Sequence, residues 1–400
     1  MQVVYPSYYH RFSCSASACP DTCCQGWGIS IDRETYGKYM SMGGLMGAKL
    51  RSHIDHDRRR FLLNHQGRCV FLDRHGLCGL CVDLGEEMMC RTCRIYPRHQ
   101  ESYGELAEVS LSLSCPAAAE LVLNLKEPPE YRIRERISGR EREDSAEKGL
   151  SAEEKELLDG LFAVRRAMFG LLRRTDLRAD TRAGAVLALA HDAEPRLRRG
   201  DRGGAEAVCS RYGAASAEKL ENLFAGSREM GFQRRQLEEE YLAELMKLET
   251  VSGGWEELLT AARNAGNARP RAGAWRKAGE ERVGQERAGQ ERAGQELNLL
   301  EYFLYLLYPG AVYDGDGWSK AKLAVFSLLA VRRLSAGLKD GREDAKGEAE
   351  TGDPFVRAAW LYSRQVEHSD ANLRRLETFV AESRSCALSQ MLACLLGGTE

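Results

Sequence analysis

The sequence predicts an α+β chain, a small Cys-rich amino-terminal domain with short strands followed by a mostly α-helical carboxy-terminal domain. Three observations carry this. Ten of the 13 cysteines fall within the first 115 residues. Apolar residues there alternate over short stretches, whereas past residue 156 they recur at helical spacing. The length, 400 residues, also exceeds one ordinary core, so more than one domain is needed.

In chain order, Trp27, Ile29 and Ile31 in GWGISID read as a short strand with one apolar face. Val109, Leu111 and Leu113 in VSLSLSC read as a second, ending at Cys115. Between them Glu34–Leu50 and Arg58–Asn64 look helical, and Leu84–Cys90 looks like a short helix. This first domain spans about residues 1–125, and the charge-dense stretch at 126–156, which opens on Pro128-Pro129, reads as a linker. The helical domain follows over 157–400. In Leu157–Arg174 the apolar positions Leu157, Leu161, Val164, Met168 and Leu171 form one stripe, and Thr181–His191 and Glu218–Val251 continue in that style. A five-residue repeat (ERVGQ, ERAGQ, ERAGQ) occupies the low-complexity segment at about 271–296. Period five matches no stable amphipathic helix and each glycine weakens one by about 1 kcal/mol, so a mobile, solvated insertion is expected, with a frayed helix as the alternative. Leu297–Tyr308 and Lys320–Leu334 are strongly apolar helices, and Lys339–Asp353 is a second polar linker. Phe355–Glu382 closes the helical part, with Phe355, Trp360, Leu361, Val366, Leu373, Leu376 and Val380 as expected core.

Charge and hydropathy exclude several classes. The formal net charge is −2, so no nucleic-acid partner is indicated. The longest apolar run, Leu323–Val331, is broken by Ser327 and is far short of the roughly 18–20 residues of a bilayer span, so no membrane partner is expected. The opening MQVVYPSYYHRF has no basic segment followed by an apolar one, so a cytoplasmic location is expected.

Thiols in a reducing compartment serve as metal ligands or reactive groups more often than as disulfides. Two arrays stand out: C-x4-C-x3-C-C from Cys14 to Cys24, and C-x8-C-x2-C-x8-C-x2-C from Cys69 to Cys93, with Cys115 following. Short spacers let thiolates converge at little loop-closure cost. The arms Cys78/Cys81 and Cys90/Cys93 suit a zinc site, while the excess over four thiols leans toward an iron–sulfur cluster or more than one metal. A radical S-adenosylmethionine pattern, C-x3-C-x2-C, begins at Cys19 and Cys23 but meets Gly26 at its third position.

Taken together, FSCSASACPDTCCQGWGISID at 12–32, CVFLDRHGLC at 69–78, LGEEMMCRTCRIYPR at 84–98 and VSLSLSCP at 109–116 resemble the flagellin lysine-N-methylase (FliB) family. YFLYLLY at 302–308 and WLYSRQVEHSDAN at 360–372 carry the likeness into the helical part. The amino-terminal motifs also resemble a broader group of Cys-rich iron- or zinc-chelating domains. The resemblance implies methylation of flagellin lysines, with S-adenosylmethionine as methyl donor and a [4Fe-4S] cluster. Carried over by position, the candidate metal ligands are Cys19, Cys23, Cys24, Cys69, Cys78 and Cys93, with Cys14, Cys90 and Cys115 also matching family cysteines. Cys81 departs from the family pattern.

The residues themselves only permit methyl transfer. No Gly-rich strand–loop–helix turn of the nucleotide-binding kind is evident, so the donor needs another kind of site. A lysine amine with a pKa of about 10.4 must lose a proton before it attacks, which calls for an acceptor or for desolvation. Asp21, Glu86 and Tyr96 are the catalytic candidates; Asp32, Asp73 and Glu87 also lie among the Cys motifs. Trp27, Arg94 and Arg98 are candidates for cofactor binding, the first through its aromatic face and the two arginines as anchors for a carboxylate or cluster charge. His53, His56, His65, His75 and His99 fall in the same region, where surface or core roles are expected. Tyr362, Arg364, Glu367 and His368 either line a face toward the metal domain or stitch helices together. The rival functions are a non-enzymatic zinc- or iron-binding interaction module and an iron–sulfur electron carrier.

Overall fold

Two large apolar cores organise this computed structural model, one under the cysteine motifs and a larger one shared by the helices and the sheet, with a small third cluster of Val3, Ala107 and Val109 on the sheet. It describes residues 1–135, 149–213, 228–251, 253–267, 280–338 and 352–396, with three single positions between 214 and 227. The charged run at 136–148, residues 271–279 of the repeat segment and the linker residues 339–351 lie outside the described residues.

The chain starts as strand β1 (Gln2–Pro6). Helices α1 (Arg33–Ser41) and α2 (Gly44–Ser52), the tiny hairpin β2 (Ile54–Asp55) and β3 (Arg60–Phe61), and the short helices α3 (Gly79–Leu84) and α4 (Arg91–Ile95) then build the cysteine module. Strands β4 (Arg98–Tyr103) and β5 (Leu106–Leu111), helix α5 (Pro116–Leu123) and strand β6 (Tyr131–Glu135) return to the sheet. Its order is β4-β5-β1-β6: β1 runs parallel to β5, with Val3 beside Ala107, and antiparallel to β6. The β4–β5 turn needs a left-handed residue, and Gly104 supplies it at φ 67°.

The helical remainder comprises α6 (Ala152–Leu172), α7 (Ala179–Leu197), α8 (Arg202–Cys209), α9 (Arg228–Leu245), α10 (Trp255–Asn267), α11 (Glu280–Leu307), α12 (Ala311–Asp314), α13 (Gly317–Ser335), α14 (Pro354–Glu367), α15 (Asp370–Glu382) and α16 (Leu388–Leu396). Ser151 and Glu154 form a reciprocal capping box that starts α6. Helix α13 is apolar all round because it is enclosed all round, packing against α7, α9, α10, α11, α14 and α15. Helix α5 joins the halves: it follows the last cysteine of the module and packs on α11 and α14. Deeper in that joint, Arg165 of α6 grips Glu108 of β5 at 2.5 and 2.7 Å, both side chains nearly enclosed.

The α+β division is as expected, but several local expectations differ. Ile29 and Ile31 are buried without forming a strand, since their neighbours make only single bridges such as Ser30 with Arg60. Arg58–Asn64 is the turn and second strand of the β2–β3 hairpin rather than a helix. The helix expected over Glu34–Leu50 breaks at Met42-Gly43, where both residues turn extended. Leu84–Cys90 keeps only a 3-10 turn at Glu86–Met88. β5 ends at Leu111, so Ser112–Cys115 is a turn. The largest correction concerns the repeat: residues 280–296, expected as a solvated insertion, form the first half of α11. Tertiary anchors offset the glycines. The Arg292 guanidinium lies 3.8 Å from the centre of the Phe355 ring, Arg292 bonds Ser335 and Glu296, and Gln295 is buried against Asn124.

Candidate functional site

A cavity of about 560 Å³ opens where the cysteine module meets α5 and α14. All ten amino-terminal cysteines line it: Cys19, Cys23, Cys24, Cys69, Cys78 and Cys93, then Cys14, Cys90 and Cys115, and also Cys81. Local turns bring them there. Gly26 at φ 86° reverses the chain after Cys24, so that Gln25 bridges Arg68 and the Cys69 N–H donates to the Cys24 carbonyl at 2.7 Å. The Asp73 carboxylate accepts from the N–H groups of His75 and Leu77, and Gly76 sits at φ 76°; this tight turn returns the chain so that Leu72 bridges Cys78. Asp32 caps α1 by accepting from the Thr35 N–H and also takes the Arg91 N–H at 2.7 Å, fixing α4 and with it Cys90 and Cys93.

All thirteen cysteines are free thiols. Two neighbouring pairs shift in opposite directions. The contact between Cys23 and Cys24 draws Cys24 down to about 7 and pushes Cys23 up. Cys90 and Cys93, with sulfurs 3.5 Å apart, behave alike, Cys90 lowered and Cys93 raised. Burial raises Cys19, Cys69, Cys78 and Cys115, opposed by backbone groups: Asp21 at Cys19, Phe71 at Cys69, Leu80 and Cys81 at Cys78, Ala117 and Ala118 at Cys115. Backbone N–H···S contacts favour thiolate over thiol. The donor set therefore fits a thiolate-bound iron–sulfur cluster in number and chemical type, which takes four thiolates. Among the described residues, no three Cys, His, Asp or Glu side chains converge as they would around a single ion.

The helical half reaches into this site through Arg364, nearly enclosed at 4% exposure. Its Nη1 bonds Asp21 Oδ2 at 2.6 Å, its Nε bonds the Ser114 carbonyl at 2.9 Å, and its Nη2 approaches the carbonyls of Asp21 and Thr22 at 3.3 Å each. One guanidinium thus clamps the Cys19–Cys24 loop to the residue before Cys115. Burial raises the Asp21 carboxyl despite that guanidinium. Trp27 packs edge-on to His368 with ring centres 4.5 Å apart, lies 5.9 Å from Tyr96, and donates its indole N–H to the Cys23 carbonyl at 2.8 Å.

Every residue singled out for catalysis or cofactor binding, namely Asp21, Glu86, Tyr96, Trp27, Arg94 and Arg98, borders this same cavity. The Arg98 guanidinium, however, is engaged by the rings of Tyr9 and Phe12. Asp32 and Asp73 shape turns and caps, and Glu87 and the five histidines lie off the cavity wall. Of the carboxy-terminal candidates, Arg364 lines the cavity and His368 packs behind it, while Tyr362 bonds Ser327 inside the helical core. Sequence reasoning passed over Ser112 and Ser114, which link Tyr96 and Glu367 to this wall. The alternating serines of VSLSLSC were the available signal.

The model of the FliB lysine N-methylase C-terminal domain matches residues 165–394. Two curated relatives, both named lysine-N-methylase, come from Salmonella typhimurium strain LT2 and Salmonella choleraesuis strain SC-B67. Each is 35% identical over 130 residues, 30% of this chain and 32% of the relative, so the match spans about a third of their length. The flagellar biosynthetic protein FliU of Salmonella muenchen is 33% identical over 130 residues, which cover 77% of that protein. No solved structure matches. Among the described residues, no helix is long and apolar enough to cross a membrane.

Proposed function

This chain belongs to the FliB lysine N-methylase family, and on that premise we propose that it methylates lysine side chains of flagellin, with S-adenosylmethionine as donor and a [4Fe-4S] cluster held by four of the cavity thiols. One observation carries the reading: the ten thiols, the six residues singled out for catalysis or cofactor binding and Arg364 of the helical half border one cavity. When bound, the donor would supply an electrophilic methyl group, and a cluster taken up by four thiolates would supply an inorganic centre around which the cysteine loops are held.

The chain's own residues supply the rest. Cys19, Cys23, Cys24, Cys69, Cys78 and Cys93 are the ligand candidates, with Cys14, Cys90 and Cys115 in reserve. The faces of Trp27 and Tyr96 suit a cation, whether sulfonium or lysine. Arg94 is exposed at the rim, where an anionic end of a ligand can pair with it. Apolar walls, including Ile29, Phe61, Phe71 and Leu80, desolvate a bound amine and so favour its neutral, attacking form.

Two measurements test this. Flagellin co-expressed with the chain should show methyl adducts on lysine by mass spectrometry; unmodified flagellin would favour a binding module or electron carrier. Anaerobically purified protein should contain iron and acid-labile sulfide with visible charge-transfer absorption, whereas stoichiometric zinc would remove the cluster and favour a structural staple.

A further inference from the structure

Glu367 closes α14 with both carboxylate oxygens enclosed. Oε2 accepts from Ser112 Oγ at 2.6 Å and from the Tyr302 hydroxyl at 3.2 Å. Oε1 makes no hydrogen bond of good geometry among the described residues, although the Ser363 hydroxyl one turn earlier lies close enough to favour the charged form. An enclosed, half-satisfied carboxylate is costly unless it takes up a proton, and Oε1 has room for one. Burial pushes this carboxyl up to about 6, against hydrogen bonds from Ser112 and Tyr302 and the nearby His99. Tyr8, Tyr302 and Tyr362 are the other titratable groups that feel its charge.

From Ser112 the hydrogen bonds continue to the cavity. Ser112 Oγ contacts Ser114 Oγ, and Ser114 Oγ lies 3.0 Å from the hydroxyl of Tyr96 on the cavity wall. His368 Nε2 also reaches Ser114 Oγ, at 2.7 Å. Burial, helped by the charge of Arg364, holds His368 down to about 4, so at neutral pH it is uncharged. With its proton on Nε2 it donates to Ser114, which leaves the Ser114 hydroxyl proton to point at Ser112.

We propose that Tyr96, Ser114 and Ser112 form a proton relay from the cavity to Glu367, the terminal acceptor for the proton that the substrate amine must lose before methylation. The inference rests on the lysine-methylation reading. The ammonium N–H proton passes to Tyr96 Oη, the Tyr96 proton to Ser114 Oγ, the Ser114 proton to Ser112 Oγ and the Ser112 proton to Glu367. An ammonium and a carboxylate become a neutral amine and a carboxylic acid, and each hydroxyl ends with one proton as it began. The apolar cavity weakens the amine's hold on its proton.

The test is the pH profile of flagellin methylation by the full, iron-loaded chain with S-adenosylmethionine, comparing wild type with E367Q and S112A. Positioned proton acceptors contribute about 10²–10⁴-fold, so E367Q should be at least about 100-fold slower at pH 7 with KM for flagellin little changed. Its rate should then climb about tenfold per pH unit toward the lysine pKa of about 10.4, as solvent deprotonates the amine, while wild type stays nearly flat. S112A interrupts the relay while keeping the carboxylate, which loses one of its hydrogen bonds, and should copy that slope. Iron content and melting temperature of each variant establish that it is folded. Variant profiles running parallel to an active wild type overturn the relay alone. A wild type that leaves flagellin unmodified overturns the methylase reading, and the relay with it.

Discussion

Replacing Arg364 with Met asks how much of the joint between the two halves depends on one guanidinium. The side chain is 4% exposed and its partner Asp21 17%, and the cation also holds three carbonyl oxygens. Methionine keeps most of the stem's volume but leaves the Asp21 carboxylate desolvated and unpaired. Removing one member of a buried pair costs about 3–5 kcal/mol. An unfolding entropy of about 2.1 cal/mol/K per residue gives roughly 0.8 kcal/mol/K for a chain of this length, so the melting temperature should fall by about 4–6 °C. R364M should also lower bound iron, because the clamp orients the Cys19–Cys24 loop. D21N alone leaves a buried cation and should cost a similar amount, whereas the double variant should cost clearly less than the sum of the two. Thermal denaturation followed by circular dichroism, with iron analysis of the same samples, reads both effects. A shift below about 1 °C, or strictly additive single variants, would show that the pair carries no coupling energy and refute the argument.

Other perturbations reach different parts of the molecule. His368, held down to about 4 from an ordinary 6.5, binds protons more readily when unfolded, so its stabilisation is complete above pH 6.5 and lost as pH falls toward 4, by about 3 kcal/mol. Denaturant titrations across that window should show the loss, and H368Q should flatten it. Glu367 has the opposite sign: raised from 4.5 to about 6, it stabilises below pH 4.5 and loses roughly 2 kcal/mol as pH rises through 6, so E367Q should make the acid loss steeper. Iron per chain should fall in C24S, C69S, C78S and C93S but not in C386S or C394S, whose thiols lie in the helical core. Gly289→Ala should stabilise the protein by about 1 kcal/mol in thermal melts, since a Cβ there meets nothing within 4 Å and the residue is helical.

The clustering of the thiols was legible because its determinants are local: short spacers and turn residues all lie within 115 residues. The helical character of the remainder was legible from spacing for the same reason. Legibility failed where a distant partner decides. The pentapeptide repeat looks solvated when only its glycines are weighed, and it is helical because Phe355, Ser335 and Asn124 anchor it from elsewhere in the chain. Ile29 and Ile31 alternate as a strand would, yet single bridges on either side hold them in irregular chain. Arg364 reads from sequence as facing the metal domain or stitching helices; its grip on Asp21, 343 residues away in sequence, has no local signature. The serine path from Tyr96 to Glu367 likewise exists only once the β5–α5 turn is laid against α14.

That span of 343 residues has a consequence for biosynthesis. A ribosome adding about 5–20 residues each second needs roughly 20–70 s between making Asp21 and making Arg364. Throughout that interval the nascent cysteine loops exist without the strap that finally fastens them. A metal bound during translation would therefore meet cysteine loops that Arg364 has not yet fastened.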